Sequence, residues 1–170
     1  NLGEMVASLQ DSIRAVWAMQ QWSDVRVDTC TTPDGGTTAW TGAGAHRMFT
    51  VTGAVRIYAA FGVCGQTLTE SGGATDISLG VAGATASLIG LLDPPTGLEA
   101  GDVWANTTPT VIPIGINNGV KAVICNTDID LAMVGANNVN DGYITIYILW
   151  SPLPAYVSGS VGNITRAVWD

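Results

Sequence analysis

Apolar positions recur along this chain in two rhythms. Over residues 2–22 they come at spacings of three and four: Leu2, Met5, Val6, Leu9, Ile13, Val16 and Trp17, with Glu4, Gln10, Asp11 and Arg14 between them. That period predicts an amphipathic helix with one apolar stripe. Leu2, Met5, Leu9, Val16 and Met19 also fit the a and d positions of a heptad, with Ser12 a weak substitute. A helix of about 20 residues extends roughly 30 Å and is marginal by itself. The stripe therefore predicts packing on its own domain, on copies of itself, or in a partner's groove. We expect Leu2, Met5, Leu9, Ile13, Val16, Trp17 and Trp22 to form an oligomer or partner interface.

Residues 23–45 break the rhythm. Asp24, Asp28, the turn signal Pro33-Asp34-Gly35-Gly36 and the small polar residues after it read as a linker, with room for one strand around Val25 to Thr29. A second rhythm starts at His46. Short runs rich in Val, Ile, Thr and Ala alternate with turn residues: Met48 to Thr52, Val55 to Cys64 with a bend near Gly62, Asp76 to Ala82, Ala86 to Leu92, Val103-Trp104, Thr110 to Ile116, Val120 to Cys125 and Ile129 to Val134. Asn118-Gly119 is a hairpin signal, because both residues tolerate positive φ. Gly142 to Trp150 is the clearest strand. Strands of this length and spacing predict a mainly β protein, an antiparallel β-sandwich of jelly-roll-like form spanning 46–153, preceded by the amphipathic helix. Pro152, Pro154 and the Gly and Ser residues after them predict an extended C-terminal arm over 154–170.

Composition narrows the possible jobs. Apolar residues make up 47% of the 170 and charged residues only 12%, against about 25% charged in ordinary soluble domains. So little surface charge favours association, and burial against copies of the chain is the expectation. Fourteen acidic and six basic residues give a formal charge of −8. Nucleic acid demands clustered Lys and Arg, and an anionic membrane surface disfavours the same balance. No apolar run approaches the roughly 18 residues of a membrane-spanning helix. The N-terminal segment carries acidic residues rather than a basic region ahead of an apolar one, and so does not read as a signal peptide. Cys30, Cys64 and Cys125 are widely spaced and form no metal pattern. Buried thiols in a reducing compartment are the expectation.

Candidate chemistry is sparse. His46 is the single histidine, and no motif supplies it with a nucleophile and an orienting carboxylate. Asp128, Asp130, Asn137, Asn138, Asn140 and Asp141 are oxygen donors that calcium favours, but they lack EF-hand spacing, and turn formation accounts for them. A glycosidase needs two carboxylates facing a cleft, whereas most acidic residues here fall in turns. Six tryptophans, Trp17, Trp22, Trp40, Trp104, Trp150 and Trp169, are many for this length. They suit inter-subunit anchoring, while Trp104 with the loop Asn and Asp residues motivates a carbohydrate-binding alternative. Neither an enzymatic role nor a cofactor is expected.

Four stretches in order carry a family resemblance: His46-Arg47-Met48-Phe49-Thr50-Val51-Thr52-Gly53; Ile77-Ser78-Leu79-Gly80-Val81-Ala82-Gly83 with Ala86, Leu88 and Ile89; Ala100-Gly101-Asp102-Val103-Trp104; and Gly142 through Leu153. The segment from His46 to Leu153 resembles small structural proteins encoded in the virion gene clusters of tailed bacteriophages. The resemblance implies a non-enzymatic virion component assembled in the host cytoplasm, a capsid decoration or head-spike protein or else a tail component. Its partners would be copies of itself, as a homotrimer, and other virion proteins such as the major capsid protein.

Overall fold

The computed structural model describes residues 24–35, 40, 44–70, 75–93, 95–105, 110–111, 120–135 and 138–167, together with Gly3 and Gln10. Of the predicted N-terminal helix only Gly3 and Gln10 are described; its seven interface residues and the Asn118-Gly119 turn lie outside the described residues.

The protein is mainly β. Its strands are β1 (Arg26–Thr31), β2 (Gly44–Thr52), β3 (Val55–Glu70), β4 (Asp76–Val81), β5 (Ala84–Leu92), β6 (Asp102–Trp104), β7 (Thr110–Val111), β8 (Val120–Cys125), β9 (Ile129–Val134), β10 (Val139–Pro152) and β11 (Asn163–Arg166). They form two antiparallel sheets. Sheet A runs β1-β10-β3-β6-β7, with β8 also paired to β3; sheet B runs β11-β2-β9-β4-β5. Four antiparallel pairs are nested in sequence: β1 with β10, β2 with β9, β3 with β8, and β4 with β5.

Alternation along each strand builds the core. On β10, Ile144, Ile146, Ile148 and Trp150 are completely buried, while the residues between them are half-buried. Their neighbours on β3 are Ile57, Ala60 and Cys64, and sheet B contributes Phe49, Ile77, Leu79, Ile129, Leu131 and Met133 to the same cluster. Each such side chain removed from water contributes about 1.5–3 kcal/mol. Strand β3 does not stop at Cys64 but continues to Glu70. Gly62 answers to packing: a Cβ there would sit 2.9 Å from Ile144 Cγ2 and 3.3 Å from Trp104 Cε3. Only a missing side chain lets the Trp104 indole lie across the strand.

Two sequence boundaries need correction. The strand expected within the linker around Val25 to Thr29 is β1, which joins the domain by pairing with β10 from Arg26↔Trp150 to Thr31↔Thr145. The stretch read as a linker also supplies Trp40, which is 1% exposed, bridges to Val139 and donates its indole N–H to Pro33 O at 3.0 Å. Trp40 is thus a core residue and not an inter-subunit anchor. The stretch read as an extended arm forms a single helical turn, α1 (Ala155–Ser158), and then β11 on the free edge of β2. An unpaired edge favours such a cover, and Ile164 at 4% exposure fixes the register. Pro and Gly at 152–162 make the turn that returns the chain. Gly162 lies so close to Ala54 O that a Cβ would overlap it.

Candidate interaction surface

The pleat that buries one face of sheet A also presents the other. Register places Val27 opposite Leu149, Thr29 opposite Tyr147 and Thr31 opposite Thr145 on β1 and β10. The next strand continues the rows, with Ala59, Phe61 and Val63 opposite Leu149, Tyr147 and Thr145. Val103 of β6 pairs with Val63 beyond the last row and is itself buried, so the open rows end at β3. Phe61 and Tyr147 stack with ring centroids 5.0 Å apart and planes 5° from parallel. Thr31 and Thr145 hydroxyls hydrogen-bond across the strands at 2.9 Å. The Tyr143 ring occupies the space a side chain at Gly65 would fill. Such cross-strand pairs stiffen the face. Val27 is 62% exposed, and Leu149, Tyr147, Phe61 and Val63 are half-buried.

No outward position in these rows carries a charge. The charged groups sit at the ends: Arg56, exposed and paired with Ser151, and Asp141, which accepts from Gln66 Nε2 at 2.7 Å and from Gly142 N at 3.0 Å. The inward side of β1 is held by a polar clasp. Trp150 Nε1 donates to Asp28 Oδ2 at 2.7 Å, and the Arg26 guanidinium stands 5.3 Å above the Trp150 ring.

Elsewhere several titratable groups are held by neighbours or shifted by burial. Asp128 accepts from Val51 N at 2.9 Å and from Arg47 Nε at 2.9 Å, tying the β9 approach to β2. Burial pushes the neighbouring Asp130 carboxyl above its ordinary range, Arg47 pulls it back and Asp128 raises it further. Burial lowers His46 from its ordinary value, so the imidazole is neutral near pH 7. All three cysteines are buried thiols outside any disulfide. Cys64 is pushed up to about 11 by burial and by the charge of Asp102, and its thiol donates to Gln66 O at 3.1 Å. Burial likewise raises Cys125, which donates to Thr127 O at 2.8 Å. Burial thus keeps both thiols protonated at neutral pH.

Asn137 lies outside the described residues, and among the described residues no group of three or more His, Cys, Asp or Glu side chains is placed to hold a metal ion. Trp104 is completely buried, so its ring offers no face to a sugar, and the carbohydrate alternative loses its anchor. No described helix is long and apolar enough to cross a membrane.

Motif reading does not find the outward rows of sheet A. The signal was present in Gly142 to Trp150, which is apolar at nearly every position rather than every second one. A strand with one face in water alternates, and a continuous run marks a strand with both faces covered. No protein-family model, curated protein or solved structure matches the chain.

Proposed function

We propose that this chain is a non-enzymatic structural component of a tailed-phage virion, a capsid decoration or head-spike protein that self-associates and docks on the particle. One observation carries the reading: the nested order of its strand pairs. A long hairpin whose arms pair β1 with β10, β2 with β9, β3 with β8 and β4 with β5 becomes a jelly-roll sandwich when it rolls up and joins β10 to β3 and β9 to β4. Viral capsid and lectin domains are built this way. Fold alone does not give function. Between those two uses, the uncharged outward rows of sheet A and the buried Trp104 support assembly over sugar binding.

The homotrimer and the major capsid protein as partner belong to the same proposal, and a tail location is its nearest variant. Purified protein is expected to sediment as an oligomer and to bind expanded phage heads. A monomer that fails to bind heads sinks the proposal. Locating the protein by electron microscopy of the intact virion separates head from tail.

A further inference from the structure

We propose that the outward face of sheet A, centred on Phe61, Tyr147 and Leu149, is where one copy of this chain packs against a second copy. The inference rests on the self-association in the reading above and names its surface. Three observations converge. Strand β10 has the composition of a strand covered on both faces, while only one face packs into the core: Ile144, Ile146 and Ile148 point inward, and Tyr147 and Leu149 point outward half-buried. The outward rows are uncharged from β1 through β10 to β3, with Arg56 and Asp141 only at the ends. Their rings and hydroxyls already hold one another, as in the Phe61–Tyr147 stack and the Thr31–Thr145 bond, so packing against this face orders few new rotamers.

Charge selects the occupant. Two copies, each at −8, repel wherever their acidic surfaces meet, and a basic partner would seek those surfaces instead. A like-charged copy can approach only through a neutral face, and this face is neutral. Size sets the strength. Three strands about 4.8 Å apart with a rise of about 3.3 Å per residue give these rows a projected area of roughly 300 Å². A standard interface buries about 800 Å² per partner. The face is thus the apolar centre of a contact whose rim supplies the rest, and association is expected to depend on concentration.

The test is sedimentation equilibrium of the full chain, alone and as Tyr147→Lys, Leu149→Asp and, as a control, Thr52→Lys at an exposed position of sheet B. The wild type and the control are expected to associate. The two sheet A variants are expected to associate roughly tenfold or more weaker. Cooperative melting near the wild-type temperature shows that each variant is folded; should Leu149→Asp fail to fold, Tyr147→Lys carries the test. A wild type that stays monomeric at high micromolar concentration overturns the proposal, as do folded variants that associate like the wild type. Deleting residues 1–22 forms a further arm. If that deletion abolishes association while Tyr147→Lys leaves it intact, the N-terminal segment makes the contact and the proposal fails. Head binding is scored separately: sheet A variants that become monomeric beside a wild type that ignores phage heads would leave this inference standing and remove the virion assignment.

Discussion

Single carboxyl groups set the pH behaviour of this fold. Asp76 opens β4, beside the Ile77↔Leu92 pairing that brings Asp93 near it. Its Oδ1 is buried without a hydrogen-bond partner among the described residues. Burial pushes its carboxyl above the ordinary value of 3.8, and the nearby Asp93 and Glu70 push it further in the same direction. A carboxyl raised by folding contributes stability that is complete below its unfolded value and is lost as pH rises through the folded value. At neutral pH the protein therefore carries an ionised Asp76 that the fold disfavours. Asp76→Asn is expected to raise the melting temperature at pH 7 and to leave it almost unchanged at pH 3. Thermal melts of both proteins across that range check the sign. Equal shifts at both pH values would show that ionisation is not the cause.

At the scale of elements, β1 and Trp40 decide where the folded unit begins. β1 covers the edge of β10, Asp28 takes the Trp150 indole N–H, and Trp40 lies in the core. Removing residues 1–22 is expected to leave a cooperative melt, because none of these contacts is lost. Removing residues 1–45 takes β1 and Trp40 together. The loss of one large buried aromatic alone costs about 3–5 kcal/mol, against a total stability of about 5–15 kcal/mol. The shorter product is expected to melt far lower or not to fold. Urea unfolding of the two truncations distinguishes them, and identical midpoints would place β1 outside the cooperative unit. At the opposite end, β11 closes sheet B beside β2 and lies against β1, so one flank of the two sheets is covered by the chain's own termini.

For the whole molecule, charge distribution outweighs charge count. The formal charge of −8 opposes self-association at long range, while the outward face of sheet A offers contact without ion pairs. Screening shortens from about 10 Å at 0.1 M salt to about 3 Å at 1 M. Rising salt is therefore expected to strengthen association, first by relieving repulsion and then by favouring apolar burial. Sedimentation at low and high salt reads this directly. Weakening with salt would mean that ion pairs hold the assembly and that the neutral face does not.

The chain by itself determined its class and much of its strand inventory. Period-two alternation and turn residues mark Met48 to Thr52, Asp76 to Ala82 and Ile129 to Val134, and a continuous apolar run marks Gly142 to Trp150; all fall within observed strands except Ala82, which begins the turn after β4. Local preference acts over a few residues, and there it is legible. Burial of the cysteines was legible too, because apolar neighbours surround Cys64 and Cys125 in sequence. Tertiary structure decided the rest, since pairing joins residues far apart. Room for a strand around Val25 to Thr29 was legible, but its place at the edge of sheet A comes from a partner more than a hundred residues later. Asn163–Arg166 follows a stretch rich in Gly and Ser, and becomes a strand because β2 has an open edge to cover. Trp40 and Trp104 look like surface anchors until the sheets close over them. The outward rows of sheet A exist only because β1, β10 and β3 align in one register; no single run of sequence contains that surface.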